Sequence, residues 1–192
     1  MNKLLFIFPL TFLLFSSNAK ALPGQSEAEV AAWIQSNSTL SPDIGERLII
    51  RKRSTAAQRF DFIAETLPPG KIIDVNNLGI IRTERIELFD AINGVDRERL
   101  EKSLQKIYGL DIYQDFRRSQ VIYSYPSDAT VKLSITQKKP NLAARHGEVR
   151  SGNRYAYWIE VAQPQTGKSV NGKIMILLKE DIDRLETYLR NR

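Results

Sequence analysis

The side chains best suited to chemistry crowd into residues 137–154, Gln-Lys-Lys-Pro-Asn-Leu-Ala-Ala-Arg-His-Gly-Glu-Val-Arg-Ser-Gly-Asn-Arg. Lys138, Lys139, Arg145, Arg150 and Arg154 bring five positive charges there, Glu148 removes one, and the sequence's one histidine, His146, lies among them. Arginine forks match carboxylate, sulfate and phosphate groups bidentately. Lys138, Lys139, Arg145, His146, Arg150 and Arg154 therefore form a candidate anion-binding set. Tyr155, Tyr157 and Trp158 follow at once and offer flat faces to a sugar or another planar ligand. Neither a period of two nor one of 3.6 runs through the stretch, so a long basic loop is expected, of the kind that either binds or is merely solvated. Arg51-Lys-Arg53 is a second, smaller cluster, and cations at a strand end also guard a sheet edge.

Other chemistries lack their parts. With no cysteine the chain has no disulfide, thiolate ligand, thiol nucleophile or lipidated N-terminal cysteine. A zinc site needs three or four ligands and His146 has no second histidine beside it. Asp181 and Asp183 suit a helix start better than a calcium loop. No Gly-x-Ser-x-Gly elbow and no glycine-rich phosphate loop is present, and Glu84 and Glu87 fall on opposite faces of one strand. No cofactor, no metal and no catalytic residue is expected.

The elements that must position these groups are legible in outline. Ser26-Glu-Ala-Glu29 is a capping box opening a helix over about 26–36, with Val30, Trp33 and Ile34 on one face. A strand begins at Leu48 and runs into Arg51-Lys-Arg53. Residues 59–65 alternate, with Phe60, Phe62 and Ala64 on one side and Arg59, Asp61 and Glu65 on the other, until Leu67-Pro-Pro-Gly70 stops them. Residues 79–89 read as a third strand. Asp96 caps a second helix with stripe Leu100, Leu104 and Ile107, ended by Gly109. Val121, Tyr123 and Tyr125 alternate before Pro126-Ser-Asp128, and Val131, Leu133 and Ile135 after it, which predicts a hairpin. Strands follow over 155–161 and 172–178, joined through Pro164-Gln-Thr-Gly167, with Asn171-Gly172 a competing tight-turn signal. A last helix carries Leu178, Ile182, Leu185 and Leu189 on one stripe. The expectation is an α+β fold, a largely antiparallel sheet of six or seven strands with three helices packed on it.

Composition adds an address. Residues 4–15 are rich in Leu, Phe and Ile after Lys3, and Ala19 and Ala21 form a small-x-small site, the three parts of a secretory signal. The apolar run is too short for a membrane helix, which needs about 20 residues. Residues 1–21 are thus expected to be removed, leaving a single domain from 22 to 192. Subtracting Lys3 and Lys20 from the formal +6 leaves +4, the same excess that residues 137–154 carry alone.

Leu22-Pro-Gly24, Ala31-Ala-Trp-Ile34, Leu48-Ile-Ile-Arg51 and Leu67-Pro-Pro-Gly70, in that order, make residues 22–75 resemble small exported cyanobacterial proteins of unknown function. The resemblance implies an extracytoplasmic address (periplasm, lumen or outside) and carries no active site. Together these features point to an exported non-enzymatic domain that binds anionic envelope or polysaccharide components through the basic loop or a sheet face. The alternatives are a small envelope-directed hydrolase and a protein-interaction module using a sheet edge. Nucleic acid ranks last, because the charge is modest and the address unsuited to it.

Overall fold

In the computed structural model, residues 22–70, 79–162 and 167–191 are described; the expected signal at 1–21 and most of the expected connection at Pro164–Gly167 lie outside them. Helix α1 (Glu27–Ser36) is opened by the capping box: Ser26 Oγ accepts the Glu29 amide at 3.3 Å and Glu29 Oε2 accepts the Ser26 amide at 2.9 Å. Strands β1 (Ile49–Thr55), β2 (Gln58–Glu65) and β3 (Thr83–Asp90) follow, then α2 (Arg97–Tyr108) and α3 (Leu110–Arg118). Next come β4 (Gln120–Tyr125), α4 (Asp128–Thr136), a 3₁₀ turn at Pro140–Ala143, β5 (Arg145–Ser151), β6 (Ala156–Ala162), β7 (Asn171–Leu177) and α5 (Ile182–Arg190).

The seven strands form one sheet in the order β1-β2-β3-β7-β6-β5-β4, and every neighbouring pair is antiparallel. The inner face presents Ile50, Phe62, Ile86, Ile174, Tyr157 and Ile159 to α1, α2 and α3, which bring Ile34, Leu104 and Phe116 among others. Burying each such side chain is worth about 1.5–3 kcal/mol. The outer face is covered only in part: α5 lays Leu185 and Leu189 against Val149, Trp158, Met175 and Leu177. Arg82 fixes the start of that helix, donating from Nε and Nη2 to the two oxygens of buried Asp181 at 2.9 Å each. No helix among the described residues is long and apolar enough to cross a membrane.

The α+β class and the seven antiparallel strands match the sequence, but the described residues form five α-helices rather than three. Residues 131–135 are helical, not the second strand of a hairpin. Ser127 Oγ accepts the Thr130 amide at 3.1 Å and starts α4 directly after Pro126. Helix α3 restarts at once after Gly109, with Ile112 and Phe116 one turn apart and buried. The loop expected at 137–154 is replaced in its middle by β5, a strand between two neighbours. Its alternation is masked because the inward Glu148 and Arg150 bond to polar partners, while the outward Gly147 has no side chain at all.

A second inward acidic residue has no cation as partner. Glu84 is 1% exposed on β3, accepts the Tyr108 hydroxyl at 2.6 Å through Oε2, and leaves Oε1 buried without a partner. Burial pushes its carboxyl from an ordinary 4.5 up to about 7, against the Tyr108 hydrogen bond. The folded state then holds this proton more tightly than the unfolded chain, so Glu84's contribution is complete below pH 4.5 and is lost as pH rises through about 7. At about 1.4 kcal/mol per unit, that loss is on the order of 3 kcal/mol. Urea unfolding of the wild type between pH 5 and pH 8 is expected to show it; Glu84→Gln removes this slope, and equal slopes in the two proteins contradict it.

The open outer face of the sheet as candidate functional site

Alternation along each strand sends every second side chain outward, and the register then lines these up across strands. At one level Arg51, Asp61, Glu87, Lys173, Glu160, Gly147 and Tyr125 stand opposite one another in succession, crossing the entire sheet from β1 to β4. At the next level Arg59, Phe89, Asn171, Ala162 and Arg145 do the same from β2 to β5. Helix α5 leaves both levels uncovered over much of their length.

Glu160 organises the β5–β7 end of the row. It is 7% exposed; Tyr125 donates its hydroxyl to Oε2, and that hydroxyl accepts the Trp158 indole N–H at 2.8 Å. Lys173 Nζ lies 3.3 Å from Glu160 Oε1 and 4.0 Å from the centre of the Trp158 ring. Arg145 Nη1 is 3.9 Å from the same oxygen and remains largely exposed. Burial, and then the bond to Glu160, push the Tyr125 phenol well above its usual range. Burial also lowers the Lys173 ammonium, with Glu160 opposing. Lys173 is thus a cation held in place by packing and by one carboxylate.

Toward β2 the row changes character. Glu87 pairs with Arg85 at 2.9 Å, while Asp61 faces Glu87 directly across the strands, a like-charge opposition that costs stability. Arg59 is exposed and lays its guanidinium 4.7 Å over Phe89. A depression of about 180 Å³ lies between them, lined by Arg59, Asp61, Glu87, Phe89, Asn171 and Lys173. A second concavity, about 450 Å³, sits where Tyr123 and Tyr125 meet Asn141, Arg145 and Arg190. There the Arg190 guanidinium lies 4.6 Å over Tyr123. Charged forks, flat rings and hydroxyl or amide groups therefore alternate along one surface, the combination that takes a polyhydroxylated anion.

The six residues proposed from the sequence do not converge. Arg145 alone belongs to this face. His146 is exposed on the opposite face of β5, and among the described residues its side chain makes no hydrogen bond or ion pair. Arg150 also points inward and is committed: Nε donates to Ser119 Oγ at 2.8 Å, Nη2 to the Ser119 carbonyl at 2.7 Å and Nη1 to Glu148 at 2.7 Å. Lys138 and Lys139 are exposed between α4 and the 3₁₀ turn. Arg154 sits in the β5–β6 turn, its guanidinium 5.4 Å over Tyr155. Tyr157 is core, and Trp158 is buried beneath Lys173. Three cations lining the wide groove beside His146, about 890 Å³, already have partners: Arg97 with Glu101 at 2.8 Å, Arg99 with Asp90 at 2.7 Å and Lys102 with Glu98 at 2.6 Å; Lys168 there is exposed and has no ion pair among the described residues.

Asp61, Glu87, Lys173, Glu160 and Tyr125 were missed. The alternation of 59–65 already placed Arg59 and Asp61 on a wet face, but only the register sets them beside Glu87 and Lys173. No family, curated protein or solved structure matches the chain in comparisons with known proteins.

Gly147 tests the geometry of the row. A Cβ there would sit 2.3 Å from the Tyr125 hydroxyl and 2.9 Å from the Ile159 carbonyl, so the tyrosine crosses β5 only because this position is bare. Gly147→Ala is expected to lower stability by about 1–3 kcal/mol in thermal or urea unfolding. An unchanged midpoint would mean that Tyr125 does not lie across the strand.

Proposed function

We propose that the protein is an exported, non-enzymatic binding domain whose open outer sheet face takes an anionic glycan of the cell envelope, laid across the strands between Arg59 and Arg145. The observation that carries this reading is the pair of exposed arginines at the two ends of one cross-strand level, with Phe89 and Asn171 between them. Arg85 and Lys173 on the same face are matched by Glu87 and Glu160, whereas Arg59 has only a ring beside it and Arg145 only a distant carboxylate. With Arg51 at the β1 end of the face, exposed and without an ion pair among the described residues, these two are cations left to bind acidic groups from solution. Asp61 and Glu87 accept hydroxyl hydrogens, and Phe89 and Tyr125 present rings to sugar faces. The secretory signal expected at residues 1–21 supports the address. Basic binding moves, on this reading, from the loop to the sheet.

A hydrolase is the second reading, favoured by one observation: Asp61 and Glu87 oppose each other across β2 and β3 within the depression. Two carboxylates flanking a sugar suit glycoside hydrolysis. Binding is preferred because this depression is shallow and open, whereas catalysis by such a pair is helped by excluding water.

Retention on an immobilised acidic polysaccharide at low salt tests the proposal. Wild type is expected to bind and to elute as salt rises. Arg59→Ala and Arg145→Ala should each weaken binding about tenfold, the scale of one charge-assisted contact. Lys106→Ala and Lys102→Ala, on exposed positions of α2 away from the face, should leave it unchanged. Equal retention of all four variants overturns the reading. Release of reducing ends in the same incubation, abolished by Asp61→Asn, would replace binding by hydrolysis.

A further inference from the structure

Among the described residues the sheet has two edges without a partner strand, and they are guarded differently. Strand β1 carries Arg51, Lys52 and Arg53 in succession, and adjacent cations discourage a new strand from pairing there. Strand β4 holds no charged side chain, and its Val121 and Ile122 are 43% and 39% exposed. The segment that follows adds to this surface. Helix α4 buries only Ser134, and Leu133, Ile135 and the nearby Leu142 are exposed. Five of the ten large hydrophobic side chains exposed among the described residues thus come from residues 121–142. An unguarded edge beside clustered apolar surface marks an interface.

We propose that this edge is a dimer interface, in which β4 pairs antiparallel with β4 of a second copy about a two-fold axis. Charge supports this occupant. In a register centred on Tyr123, Val121 meets Tyr125, Ile122 meets Ser124, and Arg118 of one copy comes toward Asp128 of the other. The symmetry makes that opposite-charge approach twice. Arg118 and Asp128 are both exposed, and neither has an ion pair among the described residues. Two copies of a mature chain whose formal charge is +4, once Lys3 and Lys20 are subtracted from +6, repel at long range, so a self-contact needs a patch that is neutral in its middle and complementary at its ends. Strand β4 is such a patch, and β1 is not.

Pairing of this kind keeps the two outer faces on the same side of one continuous sheet. Two ligand-binding faces would then lie side by side and act on a polymer together, raising avidity without a new contact. The dimer does not depend on the glycan reading, and either can fail alone.

Sedimentation velocity on the mature chain is the test. At about 100 μM, where even a weak dimer is populated, a dimer that dissociates on dilution is expected. Ile122→Lys should give a monomer with an unchanged circular dichroism spectrum. Arg118→Asp and Asp128→Arg should each weaken association about tenfold, and the two together should restore it. A wild-type monomer at that concentration overturns the proposal. So does a dimer that survives Ile122→Lys, or charge reversals that fail to rescue each other.

Discussion

The antiparallel pairing of β3 with β7 is the joint on which the molecule depends. Strands β1–β3 form one meander and β4–β7 another, and each is local in sequence. Only Thr83–Phe89 against Asn171–Leu177 makes them one sheet. The pairing closes a loop of about half the chain, so its entropic cost must be met by burial on both sides of the seam. Ile86 and Ile174 meet on the inner face, and α2 and α3, which lie within that loop, fold back over them. The same joint sets Glu87 beside Lys173, without which the outer row would stop at the middle of the sheet.

Coverage then explains the difference between the faces. The inner side chains are apolar from Ile50 to Ile159 and need the three helices. The outer side chains mix charged groups with Ile49, Ile63 and Phe89 over β1–β3 and are mostly apolar where α5 rests, so one short helix suffices and much of the face stays wet. An antiparallel sheet tolerates this arrangement because its polar face is solvated. Glu84 is the fully buried exception among the inner side chains. Its cost is contained by Tyr108, which stacks against Trp33 with ring centres 5.8 Å apart and keeps its hydroxyl on the carboxylate. At the polar end of the sheet, Asp90 has the opposite character. The Asn93 amide, and then Arg99, hold its carboxyl well below the usual range and fix the turn into α2.

What was legible in the sequence follows from how locally each feature is encoded. The capping box at Ser26, the alternation of 59–65 and the cap at Asp96 are complete within a few residues, and each has its counterpart in the structure. Residues 131–135 mislead because Val131, Leu133 and Ile135 alternate like a strand, yet Ser127 and Thr130 encode a helix start immediately before them. Strand β5 hides its period because its inward charges are matched by Arg97 and Ser119, residues far away in sequence. The basic stretch was visible as composition, but strand alternation splits it between two faces, which leaves Arg145 on one and His146 and Arg150 on the other. Clustering in sequence became separation in space. The opposite happened to Arg59, Asp61, Glu87 and Lys173, which are scattered in the chain and adjacent across the strands.

Amide chemical-shift mapping during titration with an acidic oligosaccharide tests the account most directly. Perturbations confined to the strands bearing Arg59, Phe89, Asn171, Lys173, Ala162 and Arg145 are predicted, fading as salt is added. Perturbations centred on Lys138, Lys139, His146 and Arg154, or on α1–α3, would contradict it.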